Sequence, residues 1–404
     1  MKVLYRIIIA IIAAAACYWL ISHPFTYGAG EVLSGFEDPV RGRFELIDGG
    51  KAREQLSERR QLVYDAMITA ADQCSPSVTV PVRGYTSSDI EAALFSLLYD
   101  RPEIFWLDFT ECSYAFDDRG TTINFTYYYS GEQLERMKKT LDDAVDSIIS
   151  YVAAKNLAGE YGKAVAVHDY IAGLCEYDRN PAVADTHTAY GALVNNRAVC
   201  DGYAHAYQLV MWKLGIECHY VPGEAEGPNG REGHAWNILK LDGVYTAVDL
   251  TWDDMDSYLF GDIGVSGDVT SHTFFGLSDE QMKKTHKVDD NYLYPLPEAV
   301  ENSWFDKNGV SGAAVEIFAE NAAVILLENL EKSTPYVEIR ITDKAMFGEF
   351  MEEYNGDIID AVNAMLRETG SERRFLNEMK CFVTGADRGC VLILGTLGFA
   401  EEQG

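Results

Sequence analysis

Positive charge is what this chain most lacks. Lys and Arg number 33 against 63 Asp and Glu, a formal charge of −30 over 404 residues. Phosphate recognition draws on basic surface, so nucleic acid is excluded as a partner. An acidic surface favours solubility and says little about a substrate. No C-x-x-C pair occurs among the eight cysteines, which removes support for a zinc site of that kind. Internal repeats and low-complexity tracts are also missing, and 48% hydrophobic with 24% charged residues is ordinary globular material. At this length two or three units with a sizeable core are expected, and no metal or other cofactor is called for.

Long apolar runs are equally scarce. The longest N-terminal one, Ile7 to Ile21, spans fifteen residues after Lys2 and Arg6. A basic start followed by an apolar run reads as an export signal, shorter than the roughly 20 residues of a spanning helix. Tyr18 and Trp19 resemble interfacial anchors. An uncleaved membrane anchor is the expectation, with a secreted protein if the segment is removed; Ala14-Ala15-Ala16-Cys17 has a faint likeness to a lipoprotein cleavage site. In each case the rest of the chain is expected to work outside the cytoplasm, at the cell surface, where disulfides persist. Seven cysteines remain there, an odd number, so at least one thiol stays free or pairs with another molecule. Cys381 and Cys390 flank "FVTGADRG". A cross-strand disulfide and two reduced strand cysteines are both open readings of that hairpin.

Periodicity divides the chain. Residues 1–30 form the signal or anchor, 31–130 an α+β N-terminal unit, 131–160 a connecting helix, 161–300 the chemical core and 301–404 a small α+β C-terminal unit. Within the first unit, residues 50 to 74 read as one amphipathic helix, and Ser87 or Ser88 caps the next, with Glu91 completing a capping box. Strands follow around Phe105 to Phe109 and over residues 121 to 129. In the C-terminal unit "AAVEIFAENAAVILLEN" and "PYVEIRIT" read as strands, residues 343 to 368 as one or two helices, and "KCFVTGADRGCVLILGTLG" as a hairpin.

The chemistry gathers in the centre. "AVCDGYAHAYQLVMWKLGI" is a largely buried helix ending at Gly215, which places Cys200 in its first turn. There the unpaired backbone N–H groups and the helix dipole favour thiolate over thiol. "GHAWNILKLDGVYTAVDLTWDD" is a hairpin about Asp242-Gly243. With Leu241 facing Val244, counting outward sets His234 opposite Thr251 and Trp236 opposite Asp249. His234 and Asp249 then become diagonal neighbours on one face. Cys200, His234 and Asp249 supply a nucleophile, a base and a group that orients the base. The alternative is that His234 and Asp249 are a structural hydrogen-bonded pair.

These blocks resemble the transglutaminase-like superfamily, in the exported form common in bacteria. The resemblance runs from about Tyr161 to Leu296 and includes "AYGALVNNRAVCDGYAHAY" and the trailing "HTFFGLSDEQMKKTHKVDD". It implies a papain-like α+β fold, with the Cys-bearing helix packed on an antiparallel sheet. Cys200 is then the nucleophile, His234 the base and Asp249 the third member. The reaction implied is attack on a carboxamide or peptide carbon of an extracytoplasmic protein or cell-wall peptide through a thioester. The Gly-Gln-Cys-Trp setting of animal tissue transglutaminases is absent around Cys200, and the superfamily covers proteases and amidases as well as transferases. A cysteine peptidase and a catalytically idle surface scaffold are the alternatives.

Around that centre, the Cys200 backbone N–H is an expected oxyanion donor, with Tyr203 or Trp236 as candidates for another. Trp252 is expected to pack under the triad. His205 is read as packing or surface, His168 and His187 as structural residues without partners. Asp253, Asp254 and Asp256 read as a solvated acidic loop without the EF-hand spacing of a calcium site, and residues 223 to 233 as a loop shaping the cleft.

Overall fold

Val63, Met67 and Ala70 recur at helical spacing and face inward from α2 (Glu58–Asp72), which follows the short α1 (Ala52–Gln55). The single helix expected over residues 50 to 74 is split because Ser57 caps α2, accepting the Arg60 amide. The computed structural model describes residues 52–404 apart from 182–183, 228–229, 255–269, 290–293, 298–301, 329–335, 354–356, 369, 371–372, 376–379, 386–389, 395–396 and 400–404. The N-terminal apolar segment therefore lies outside the described residues. Among those described, no helix is long and apolar enough to cross a membrane.

The N-terminal sheet is antiparallel, in the order β1 (Ser77–Val80), β3 (Gly120–Tyr127), β2 (Leu107–Asp117), with α3 (Ser87–Asp100) between β1 and β2 in sequence. The α3 cap falls ahead of the expected serines. Thr86 donates its amide and hydroxyl to the Asp89 carboxylate at 2.9 and 2.8 Å.

Two helices follow, α4 (Gly131–Ala154) and α5 (Gly159–Leu174). The short parallel pair β4 (Glu176–Tyr177) and β5 (Arg197–Ala198) encloses α6 (Ala189–Leu193) and leads directly into α7 (Cys200–Lys213). Next come β6 (Cys218–Gly227), β7 (Gly230–Leu241), β8 (Val244–Val248), α8 (Leu250–Asp253), β9 (Phe275–Leu277), α9 (Asp279–Met282) and β10 (His286–Val288). Their strands form one antiparallel sheet in the order β10-β6-β7-β8-β9. The fold is thus α+β, and the helix that begins at Cys200 packs on an antiparallel sheet, as the sequence implies. One apolar core runs from Val63 through Tyr203 and Tyr207 to Phe275, joining the N-terminal elements to the central ones.

The β7–β8 register is the expected one. Asp242 and Gly243 both have positive φ, 51° and 90°, as a two-residue type I′ turn requires, and Leu241 pairs with Val244. The pairing stops at Asn237 with Val248. Asp249 leaves the strand to cap α8, its side chain accepting the Trp252 amide, so Thr251 belongs to a helix instead of facing His234. Asp is a strong N-cap former, and that local preference ends the ladder.

The C-terminal unit has α10 (Trp304–Lys307), β11 (Ser311–Gly312), α11 (Ala319–Glu328), β12 (Tyr336–Ile341), α12 (Lys344–Glu353), α13 (Asp357–Glu368), β13 (Arg373–Phe375), β14 (Lys380–Gly385), β15 (Cys390–Leu394) and β16 (Leu397–Phe399). Its main sheet runs β11-β12-β15-β14 around a core of its own. The strand expected from "AENAAVILLEN" is the helix α11. Ala319, Ala322, Ala323 and Leu326 are all buried, and this i, i+3, i+4, i+7 spacing outweighs the apparent run of strand formers. The β14–β15 register pairs Cys381 with Ile393 and Cys390 with Gly385, so the two cysteines are not cross-strand neighbours.

Candidate active site

The path of α7 over the sheet fixes where its first residue lies. Near its end, Trp212 Nε1 donates to the Cys218 carbonyl at 2.7 Å. Two turns earlier, the Ala204 carbonyl accepts Asn237 Nδ2 at 3.0 Å, and Ala204 packs against Tyr220 and Ala235. Cys200 begins that helix one turn before Ala204, and β7, which Asn237 ties to the helix, also carries His234. Tyr220 ties down the same end, donating its hydroxyl to Asp201 Oδ1 at 2.8 Å. Its phenol is pushed up by burial and by the neighbouring charges of Asp201 and Cys200.

Val199 occupies the N-cap of α7 and has no side-chain acceptor to offer the first-turn amides. Gly202 allows the close approach of that turn to its surroundings. A Cβ there would meet the Thr186 carbonyl oxygen at 2.6 Å, Ala198 Cβ at 2.7 Å and the Thr188 carbonyl oxygen at 3.0 Å. Gly202→Ala should therefore lower stability by about 1–3 kcal/mol in urea unfolding. An unchanged midpoint would mean that residues 186 to 188 yield freely.

His234 and Asp249 meet at the end of the β7–β8 hairpin. Nε2 of His234 lies 2.7 Å from Asp249 Oδ2, and both side chains are buried. This bond sets the tautomer: Nε2 carries a proton toward the carboxylate, leaving Nδ1 as the basic atom of the ring. Asp249 is held on all sides. Its Oδ1 accepts the Trp252 amide at 3.1 Å, and its Oδ2 also lies 3.0 Å from His286 Nε2. Burial alone would raise the Asp249 carboxyl, but the two imidazoles, His234 foremost, outweigh it and hold the group well below the usual carboxylate range.

His286 is the residue that sequence reasoning passed over. It stands on β10, paired with Ala225 of β6, and its Nδ1 lies 2.8 Å from the Thr285 hydroxyl. The only sequence signal was its place in the trailing block "MKKTHKVDD". Trp252 and Trp236 pack around both imidazoles: Trp252 lies 5.5 Å from His234 and 4.5 Å from His286, ring centre to ring centre, and Trp236 lies 6.2 and 4.9 Å from them.

Other candidates lie elsewhere or act differently. The Tyr203 hydroxyl is taken up by the Cys175 carbonyl and the Asp254 carboxylate in the core, so it serves as a pin beneath α7 and is removed from the list of oxyanion donors. His205 is buried and stacks on Tyr220 at 4.4 Å, and burial lowers its imidazole to about 4. His187 does have a partner, since its Nδ1 lies 2.9 Å from Asp201 Oδ2. Burial favours the neutral ring there, but Asp201 prevails and raises it. His168 also has partners, in a separate cluster with Asp253. Asp253 and Asp254 are buried instead of forming a solvated loop, and Asp256 lies outside the described residues. Residues expected as a loop extend the hairpin, Glu224 pairing with Gly233 and Gly227 with Gly230.

Residues 147–250 match the family model of the transglutaminase-like superfamily, a span that includes Cys200, His234 and Asp249 and ends before His286. The chain is 31% identical over 98 residues to the Kyphoscoliosis peptidases of Mus musculus and Homo sapiens, which covers 22% of this chain and 15% of each relative. A solved TGase structure aligns at 16% identity with a TM-score of 0.25, over 43% of this chain and 50% of that one.

Proposed function

We propose that Cys200, His234 and Asp249 form a thiol-dependent centre for acyl transfer or hydrolysis at carboxamide or peptide bonds. The observation that carries this reading is the buried His234–Asp249 bond, with His234 on the strand that the helix beginning at Cys200 packs against. His234 Nδ1 accepts the Cys200 proton, and the thiolate adds to the carbonyl carbon. The C–N bond then breaks, the amine leaves with the proton from the imidazolium, and a thioester remains. Water or an acceptor amine attacks it and releases the thiol. First-turn amides of α7, that of Cys200 included, face the developing oxyanion. Hydrolysis is favoured by the partial likeness to the Kyphoscoliosis peptidases. The basic start and apolar run of residues 1 to 21 support an extracytoplasmic setting, membrane-anchored or secreted, with cell-surface protein or cell-wall peptide as substrate.

The test is the pH dependence of iodoacetamide labelling at Cys200 in the reduced ectodomain and in His234→Ala. Labelling of the parent should persist well below the free-thiol value of about 8.5 and weaken in the variant. Ordinary labelling in both proteins would overturn the catalytic reading and leave an idle scaffold. Incorporation of an amine into a glutamine peptide would identify a transferase over a hydrolase.

A further inference from the structure

We propose that His168, Asp169 and His272 form a binding site for one divalent transition-metal ion, zinc by its donor set, at the junction between the central sheet and the C-terminal unit. His168 and Asp169 are consecutive on α5, and His272 precedes β9. Asp169 Oδ1 lies 3.1 Å from His168 Nδ1 and 2.8 Å from His272 Nε2, and one donor atom from each residue lies within 4.8 Å of the others. Zinc takes nitrogen at about 2.0–2.1 Å and oxygen at about 2.0–2.2 Å, so a tetrahedral site has donor–donor edges of roughly 3.3 Å. Shifts of a few tenths of an ångström convert the two contacts into such edges.

The outer shell distinguishes this cluster from an ordinary acid–imidazole group. A ligating histidine is commonly fixed through its other nitrogen by a carboxylate, which orients the ring and strengthens it as a donor. Both histidines here have that support. His168 Nε2 lies 3.2 Å from Asp253 Oδ2, and His272 Nδ1 lies 2.6 Å from Glu338 Oε2. Asp253 and Glu338 are themselves held, Asp253 by the Phe274 amide and Glu338 by the His272 amide and the Ser271 hydroxyl. The His272 ring is also stacked on Trp304, at 4.4 Å and 15°. His168, His272, Asp253 and Glu338 are buried, whereas the Asp169 side chain is 41% exposed and gives the ion a way in and a water its fourth position.

The competing cluster, His234, Asp249 and His286, also brings three donor atoms together, and the experiment separates the two. Full-length protein is stripped with chelator, equilibrated with zinc and desalted, and bound metal is counted by mass spectrometry. Cobalt is then added in place of zinc and its visible spectrum recorded. About one ion per chain is expected in the parent and in Cys200→Ser, and the cobalt spectrum should lack a thiolate charge-transfer band. Asp169→Asn keeps an oxygen to accept both imidazole bonds but removes the anionic ligand, and should weaken binding at least tenfold. Glu338→Gln should weaken it about 10–100-fold, as loss of an outer-shell partner does. No retained ion in the parent, or binding unchanged in Asp169→Asn and lost in His286→Gln, would overturn the assignment.

Discussion

Asp249→Ala should lower the unfolding free energy by about 3–5 kcal/mol, the range for removing one partner of a buried ion pair, and return Cys200 alkylation to the profile of an ordinary thiol. The substitution strips one carboxylate from three donors at once: His234 Nε2, His286 Nε2 and the Trp252 amide that starts α8. Two imidazoles are then buried against Trp236 and Trp252 without the carboxylate that faced the Nε2 of each. Asp249→Asn makes the finer test, because its shape keeps the cap while its charge is gone. The carboxyl of Asp249 lies well below its usual value in the folded protein, against about 3.9 when unfolded. Between those values the unfolded chain binds the extra proton, so stability rises with pH there. The contribution is complete above the unfolded value and is lost as the pH falls through the folded one. The stability gap between the parent and Asp249→Asn, measured by urea unfolding across pH, should therefore be full at neutral pH and narrow below about pH 4. A gap independent of pH would mean that the asparagine loses shape or packing and not charge.

How much of this was legible depended on the range of the interaction. Asp242-Gly243 fixed the β7–β8 register from sequence because a two-residue turn admits one pairing, and that register brought His234 and Asp249 to the same end of the hairpin. It did not foretell that Asp249 would leave the strand, since capping and pairing compete for one residue and the cap won. In α11, Ala-rich apolar sequence satisfies strand and helix patterns together, and only the buried spacing of Ala319, Ala322, Ala323 and Leu326 separates them. His286 escaped notice for a different reason. It reaches Asp249 by the pairing of β10 with β6 across the sheet, and no local pattern encodes which of several later strands takes that edge. His168 and His272 were hidden in the same way, being 104 positions apart in the numbering and joined through Asp169.

Glu338→Leu should lower stability by about 3–5 kcal/mol in chelator-treated protein, although it puts an apolar side chain into the middle of a buried strand. The alternation of β12 explains the apparent contradiction. Val337, Ile339 and Ile341 enter the C-terminal core, while Glu338 and Arg340, also buried, occupy the alternate positions. On that face Glu338 accepts the His272 amide at 2.9 Å and the Ser271 hydroxyl at 3.0 Å and faces His272 Nδ1 at 2.6 Å. Leucine leaves the His272 amide and Nδ1 buried and unmatched, while the Ser271 hydroxyl can still turn to Thr273 Oγ1 at 3.0 Å, and loss of one partner is worse than loss of both. Adding His272→Leu to Glu338→Leu should accordingly cost less than the sum of the single changes, with a coupling energy above about 0.5 kcal/mol in a double-mutant cycle. Strict additivity in that cycle would mean that the two residues hold the junction independently. Coupling would make the Glu338–His272 pair the polar joint by which the C-terminal sheet grips Ser271 and His272, just ahead of β9.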